Sequence, residues 1–133
     1  MAYDSPAPER NDRGGRLTPF GVMTRGIRKE KGLLLFDMAK IAGVTSGFLS
    51  LVETGQRPIP DKLIAAIVAG LDLSSKKEAE LREAAALSAK EYKIQLSTGA
   101  PALDRRVAHA LQTGFAKMSP TTKAKILKLL EES

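Results

Sequence analysis

The stretch MAKIAGVTSGFLSLVETG, residues 38–55, decides the fold of this chain. Gly43 can adopt a positive φ, which permits a tight turn of the backbone. Thr45 can cap the helix that follows, because its hydroxyl can accept a hydrogen bond from a backbone amide of the first helical turn. Leu49 and Val52 then repeat the spacing of a buried helical stripe. The stretch therefore predicts two short helices joined by a tight turn.

This arrangement is typical of a helix-turn-helix, in which two helices meet at a steep angle through a turn of about three or four residues. Ala39 is the small residue expected to face the second helix, and Val44 is expected to be buried in the corner. The second helix, predicted for residues 46–53, keeps one face outside the core. We expect that exposed surface, near the N-terminus of the helix, to comprise Thr45, Ser46, Gly47, Ser50 and Leu51.

Capping residues and apolar spacing predict helices along the rest of the chain as well. Thr18 and Pro19 suit a helix start, and Gly32 suits the stop of the same helix. Ser75 and Glu78 have the spacing of a capping box. No strand is predicted, because strict alternation of apolar and polar residues is missing. The predicted fold is all-α, with helices over residues 19–31, 36–42, 46–53, 61–71, 75–95 and 103–118 and a last one from 120 onward.

Composition excludes several classes of site. The chain has 133 residues, about the size of one domain, with no Cys and one His. Disulfide frameworks, Cys nucleophiles and Cys-based metal sites are therefore excluded, and we expect His109 to be a partly exposed helix residue without a metal. No P-loop, GxSxG or HExxH motif occurs, so we predict a protein that is not an enzyme and needs no cofactor.

No segment of the sequence predicts a membrane anchor. The longest uncharged apolar run, residues 63–71, is much shorter than the roughly 20 residues that cross a bilayer. Residues 1–15 lack the apolar region of a signal peptide. We therefore expect no membrane association and a cytoplasmic, nucleoid-associated protein.

The chain is basic, and its positive charge is concentrated in two segments. It carries 21 Lys and Arg against 15 Asp and Glu, a net charge of +6. Residues 17–57 hold six basic against three acidic residues, and residues 91–133 hold seven against four. A basic surplus favours a polyanionic partner such as nucleic acid. The predicted helix 46–53 is also narrow enough for the major groove of DNA, and its N-terminus attracts phosphate.

The sequence resembles the Cro/repressor-type helix-turn-helix family, often called Xre-like, over residues 17–73. The similarity implies a lambda-repressor-like helical bundle that binds double-stranded DNA and regulates transcription, with repression favoured over activation. The residues that carry it are Ile27-Arg28-Lys29-Glu30-Lys31-Gly32-Leu33, Met38-Ala39, Gly43-Val44-Thr45, Leu49-Ser50, Val52-Glu53, Gly55 and Arg57-Pro58.

The resemblance also implies roles for individual positions. Arg28 and Glu53 stand where similar domains have a buried structural ion pair. Arg57 stands where the loop after the second helix of the motif approaches the DNA backbone. Leu35 occupies a position that is often a phosphate-binding Gln, and Leu cannot make that hydrogen bond. The predicted DNA-binding residues are Thr45, Ser46, Gly47, Ser50, Leu51 and Arg57.

These residues also suggest how a base sequence would be recognised. Ser46, Gly47 and Leu51 lack the long polar groups that bind bases in a bidentate manner. We therefore expect recognition through Ser hydroxyls, through contact of Leu51 with the thymine methyl group, or through DNA shape.

We predict three segments: a flexible arm over residues 1–16, the helix-turn-helix domain over 17–73, and a helical extension over 74–133. The arm carries Arg10, Arg13 and Arg16, and a minor-groove role is an alternative to a plain tail. The apolar faces of the last two helices either pack on the same core, form a homodimer interface, or capture a protein partner, as in an antitoxin-like or phage-type control protein. We favour the homodimer, because one helix-turn-helix reads only a few base pairs.

Overall fold

A computed structural model describes residues 16–133, and these residues form an all-α structure without a strand. Residues 1–15 of the predicted arm, which include Arg10 and Arg13, lie outside the described residues. The chain divides into two compact units, the first ending at Glu91 and the second running from Tyr92 to Ser133. The helices are α1 (Pro19–Lys31), α2 (Leu35–Ala42), α3 (Ser46–Glu53), α4 (Asp61–Gly70), α5 (Ser75–Ala86), α6 (Ala102–Gly114) and α7 (Pro120–Glu132), with a 3₁₀ turn over Phe115–Lys117.

The first unit, with α1 to α5, has one apolar core. Aliphatic side chains dominate it, as the aromatic-poor composition requires, and among the fully buried residues of the described range 16–133 Phe20 is the only aromatic one. Val44, expected in the corner of the motif, is partly buried and packs against this core. The buried apolar residues are Phe20, Ile27, Met38, Ala39, Leu49, Val52, Leu63, Ile64, Ile67 and Leu81.

The predicted N-cap of α5 is displaced by one residue, and the predicted end of the helix is wrong. Ser74, not Ser75, is the N-cap, and its hydroxyl accepts a hydrogen bond from the Lys77 amide at 3.1 Å. The helix ends at Ala86, not at Gln95. Ser88 explains the stop, because its hydroxyl donates to the Ala84 carbonyl at 2.6 Å and accepts from the Phe20 amide at 2.9 Å. This pair of bonds anchors the end of α5 to the start of α1.

The division of the chain also differs from the predicted boundary between residues 73 and 74. Leu81 of α5 is fully buried in the core of the first unit. Arg82 donates to Glu78 and to Asp61 of α4, at 3.0 Å each, which ties α5 to α4. The hydrogen bond to Glu78 raises the pKa of Arg82 above its ordinary value. The helix therefore belongs to the first unit, and not to a C-terminal extension.

The second unit contains α6 and α7 and has no fully buried residue. The predicted helix 103–118 is shorter than expected, because α6 ends at Gly114 and a 3₁₀ turn follows. Lys123 of α7 lies over the Phe115 ring, with Nζ 4.3 Å from the centroid. The apolar residues that are more than half exposed in this unit are Tyr92, Ile94, Leu103, Val107, Phe115, Leu127, Leu129 and Leu130.

Among residues 16–133, no single helix has the length and apolar character needed to cross a membrane, although the bent α2–α3 pair would by length and composition alone.

Candidate nucleic-acid interface

The α2–α3 pair has the geometry that the sequence predicts for the central motif. The two helices are bent by 100° relative to each other and are joined by three residues. Gly43 has a φ of 76°, in the left-handed region that glycine favours. Its amide donates to the Lys40 carbonyl at 3.2 Å, and the Val44 amide donates to the Ala39 carbonyl at 2.9 Å. This turn closes the end of α2 and sets the direction of α3.

The N-terminus of α3 is capped by Thr45, as predicted. The Thr45 hydroxyl accepts a hydrogen bond from the Phe48 amide at 3.0 Å. The amides of Ser46 and Gly47 make no hydrogen bond within residues 16–133. Such amides point out of the first helical turn and form a favourable site for an anionic group.

One side of α3 is exposed and mostly polar. Leu49, Val52 and Glu53 are buried, so the opposite side of the helix faces outward. Gly47 and Ser50 on that side are exposed, and Leu51 is partly exposed. The hydroxyls of Ser46 and Ser50 make no hydrogen bond within the described part of the chain. The structure thus brings the predicted residues of α3 together on one surface, which we call the α3 face, comprising Thr45, Ser46, Gly47, Ser50 and Leu51.

Arg57 lies beside the α3 face, at its C-terminal end. The amides of Gln56 and Arg57 both donate to the Leu51 carbonyl, at 2.8 and 3.3 Å. The chain therefore turns back across the end of α3, with Gly55 at a φ of 80°. Arg57 is exposed, and its guanidinium has no hydrogen bond or ion pair within the described residues. A cation is thus available next to Leu51.

Two further polar residues, which sequence reasoning missed, extend the α3 face. Gln56 Nε2 donates to the Thr54 hydroxyl at 2.9 Å, and that hydroxyl donates to the Ser50 carbonyl at 3.0 Å. Gln56 is exposed, and its amide can both donate and accept hydrogen bonds. The signal for Thr54 was its position four residues after Ser50, which places both on one side of the helix.

The ion pair between Arg28 and Glu53 holds the inner side of α3. The prediction of this buried pair is confirmed. Arg28 Nη1 and Nη2 lie 2.7 and 3.2 Å from the two carboxylate oxygens of Glu53. Each side chain is only 4% exposed. The Thr24 hydroxyl donates to Glu53 Oε2 at 2.6 Å, and Arg28 Nη1 lies 3.4 Å from the sulfur of Met38. The pair is enclosed and is not available to a ligand.

The backbone of Glu53 forms a second attachment between α3 and α1. Its carbonyl accepts hydrogen bonds from the amide and the hydroxyl of Thr18, both at 3.0 Å. Gly21 lies directly against the same carbonyl, and a Cβ atom there would collide with its oxygen. The close approach of the two helices therefore requires glycine at position 21, and it fixes the orientation of α3.

Helix α2 contributes less polar surface than α3. Leu35, at the first position of α2, is partly buried and packs against the core. Asp37 accepts a hydrogen bond from the Leu34 amide at 2.8 Å and so supports the helix start. Lys40 is exposed and lies over the Phe36 ring, with Nζ 5.9 Å from its centroid. Lys40 is therefore the exposed cation that α2 supplies.

The described residues give little support for a metal site. Residues 16–133 contain no group of three or more His, Asp or Glu side chains that could hold a metal ion. His109, on α6, is exposed. Comparisons of the chain with known protein families, with curated proteins and with solved structures find no match.

Proposed function

We propose that residues 17–73 adopt a lambda-repressor-like arrangement of the Xre-like type and that the protein is a sequence-specific DNA-binding transcriptional regulator. One observation carries the proposal: α2 and α3 are bent by 100° around a glycine turn, and the outward side of α3 is polar and lies beside Arg57. An angle of about 90–120° between the helices is characteristic of DNA-binding helix-turn-helix motifs.

In the proposed complex, α3 lies in the major groove with its first turn towards the bases. The amides of Ser46 and Gly47 and the guanidinium of Arg57 bind phosphates, because they are cationic or dipolar groups without a protein partner among the described residues. The hydroxyls of Thr45 and Ser50 contact base edges or phosphates. Leu51 supplies an apolar contact for a thymine methyl group.

The proposed regulatory effect is repression. A protein that occupies the major groove within a promoter blocks access of other proteins to the same DNA. A homodimer on a palindromic or near-palindromic site would combine two α3 faces and so supply both affinity and spacing. No cofactor is needed for this function.

The substitution Ser46→Glu tests the proposed role of α3. A carboxylate at the first position of a helix is compatible with folding, because it interacts favourably with the helix N-terminus. It also opposes a phosphate, so we expect at least a tenfold loss of affinity for a pool of random 30-base-pair duplexes in about 100 mM salt. Fluorescence anisotropy measures the binding, and circular dichroism confirms the fold.

Ser75→Glu is the matched control, since Ser75 is also the first residue of a helix and the change in net charge is identical. We expect this variant to bind DNA within about twofold of the unsubstituted protein. Equal affinities of the two variants, both close to that of the parent chain, would contradict the assignment of α3. Absence of DNA binding by the parent chain would contradict the proposed function itself.

A second candidate function is a protein-interaction module of the antitoxin-like or phage-type kind. The exposed apolar side chains of α6 and α7 favour it, because each of these helices leaves several large apolar side chains in solvent that a bound partner would cover. Under this function the α3 face serves no DNA contact. The full-length chain would then leave random duplexes unbound, and a specific protein partner would bind through the second unit.

A further inference from the structure

The C-terminal end of α3 carries a chain of hydrogen bonds that begins at the side chain of Gln56. Gln56 Nε2 donates to the Thr54 hydroxyl at 2.9 Å. That hydroxyl donates to the carbonyls of Ser50 and Leu51, at 3.0 and 3.3 Å. The backbone amide of Gln56 also donates to the Leu51 carbonyl, at 2.8 Å. Gln56 is exposed, but both its backbone and its side chain are held against the helix.

These bonds fix the direction of the Gln56 amide group. A hydroxyl has a single hydrogen to donate, and the hydrogen of Thr54 is directed to the backbone carbonyls of α3. The Thr54 oxygen can therefore only accept from Gln56, so the amide nitrogen and not the amide oxygen must face it. Oε1 and the second N–H of Gln56 then remain without a partner within residues 16–133.

The free amide group lies on the same side of the helix as the α3 face. Thr54 follows Ser50 by four residues and Leu51 by three, and residues at these spacings share one side of a helix. The hydrogen bond from Gln56 to Thr54 therefore places the amide at the C-terminal end of the α3 face.

The unpaired groups of Gln56 match the edge of one base. They are an acceptor and a donor side by side, and in the major groove adenine presents its N6 amino donor beside its N7 acceptor. Guanine presents two acceptors, so its O6 would oppose Oε1. Cytosine offers a donor alone and thymine an acceptor alone, so neither satisfies both groups.

We propose that Gln56 recognises an adenine in the major groove through two hydrogen bonds and that Thr54 is the positioning residue that orients its amide. The inference rests on the proposed DNA binding and deepens it by naming a base that the protein reads. It also supplies the long polar side chain that Ser46, Gly47 and Leu51 lack.

The arrangement also separates the role of Gln56 from that of its neighbour Arg57. Ordering a long side chain on binding costs conformational entropy, and a side chain that is already held in place avoids part of this cost. The Gln56 amide is held by Thr54, whereas the Arg57 guanidinium has no hydrogen bond or ion pair within the described residues. Recognition of a base edge requires a fixed direction, and attraction of a phosphate does not.

The length of α3 indicates which base pair Gln56 reaches. Thr54 follows Ser46 by eight residues, which is about 12 Å along a helix axis. Base pairs are stacked about 3.4 Å apart, so this length spans roughly three or four of them. The adenine is therefore expected near the edge of a half-site, away from the bases that the first turn of α3 contacts.

Selection of bound duplexes from a random library by the full-length protein tests the inference. We expect the motif of the parent chain to contain an adenine whose preference over other bases falls about fivefold or more in Gln56→Ala, while the other positions of the motif stay the same. Gln112→Ala is the matched control, since Gln112 is an exposed glutamine on α6. We expect that variant to select the motif of the parent chain.

The outcomes separate this inference from the proposed function. If the parent chain selects a motif and Gln56→Ala keeps every base preference, the role of Gln56 is overturned and sequence-specific binding stands. A loss of preference at a base other than adenine would overturn the assignment of the base. If the parent chain selects no motif, both the inference and the proposed function are contradicted.

A modified base tests for direct contact in the selected duplex. Replacement of the adenine by 7-deazaadenine removes the N7 acceptor and leaves the N6 amino group and the base pairing unchanged. We expect the parent chain to lose about fivefold in affinity and Gln56→Ala to lose less than about twofold, as measured by fluorescence anisotropy. Equal losses for the two proteins, or no loss for the parent chain, would overturn the contact.

The positioning role of Thr54 is tested by two substitutions at that residue. Thr54→Val keeps the branched shape but removes the hydroxyl, so we expect the preference for adenine to fall about threefold or more because the amide is released. Thr54→Ser keeps the hydroxyl, and we expect it to retain the preference within about twofold. Equal preferences in the two variants would contradict the positioning role, and circular dichroism checks that both are folded.

Discussion

At the scale of single residues, Glu53 attaches α3 to α1 through both its carboxylate and its backbone carbonyl. Its carboxylate binds Arg28 and Thr24 of α1, and its carbonyl accepts two hydrogen bonds from Thr18. None of these contacts reaches the outward side of α3. Glu53 therefore supports DNA binding, under the proposed function, only by holding the helix in place.

The substitution Glu53→Ala is expected to lower the free energy of unfolding by roughly 3–5 kcal/mol, because it leaves the buried Arg28 guanidinium without its partner. Urea denaturation followed by circular dichroism measures the change. Glu78→Ala is the matched control, since it removes a carboxylate that also pairs with an arginine, but at the surface of α5. We expect a much smaller loss of unfolding free energy for this variant. Equal losses would mean that the buried ion pair stabilises the protein no more than the surface pair does.

The same residues show how far the sequence alone predicts the structure. Arg28 and Glu53 were expected to pair because their positions match a sequence pattern that extends across two helices. The structure contains this pair. Thr24 was not expected as a third member of the cluster. A threonine in a helix carries no sequence signal for a partner that is 29 residues away in the chain.

At the scale of elements, α1 and α3 approach closely because Gly21 has no side chain. A methyl group at this position would meet the Glu53 carbonyl oxygen, which is part of the backbone and cannot move independently. The glycine therefore determines the distance at which α1 crosses the end of α3, and thus the orientation of the α3 face.

The substitutions Gly21→Ala and Gly26→Ala are expected to have opposite effects. Both residues lie in α1, but nothing lies within 4 Å of a Cβ atom at Gly26. Gly21→Ala is expected to destabilise the protein by about 1–3 kcal/mol through overpacking. Gly26→Ala is expected to stabilise it by about 0.5–1 kcal/mol, because alanine favours the helix. Thermal unfolding measures both changes, and a stabilising Gly21→Ala would contradict the close approach.

Local signals predicted the elements of the motif better than the elements that follow it. Gly43 and Thr45 define the ends of α2 and α3 through contacts within a few residues, and those contacts can be read from the sequence. The end of α5 depends on Ser88, whose hydroxyl bonds to the distant Phe20 amide.

At the scale of the whole molecule, the chain divides at Glu91 and not at Leu73. The first unit needs α5, because Leu81 fills its core and Ser88 binds the start of α1. The proposed DNA-binding surface therefore depends on a helix that lies outside residues 17–73.

Two truncations test this division. A chain ending at Glu91 is expected to unfold cooperatively, with a melting temperature close to that of the first unit in the full-length protein. A chain ending at Leu73 loses the buried Leu81, and removal of a buried Leu side chain alone costs about 2–5 kcal/mol. We expect that shorter chain to be largely unfolded. A stable, cooperative chain ending at Leu73 would contradict the assignment of α5 to the core.

The most direct test of the proposed function is selection of bound duplexes from a random DNA library by the full-length protein at about physiological salt, followed by sequencing. The proposed dimeric regulator predicts an enriched two-fold symmetric motif, with half-sites separated by about one helical turn or a multiple of it. Retention of duplexes without any enriched motif, or no retention, would contradict sequence-specific DNA binding through the α3 face.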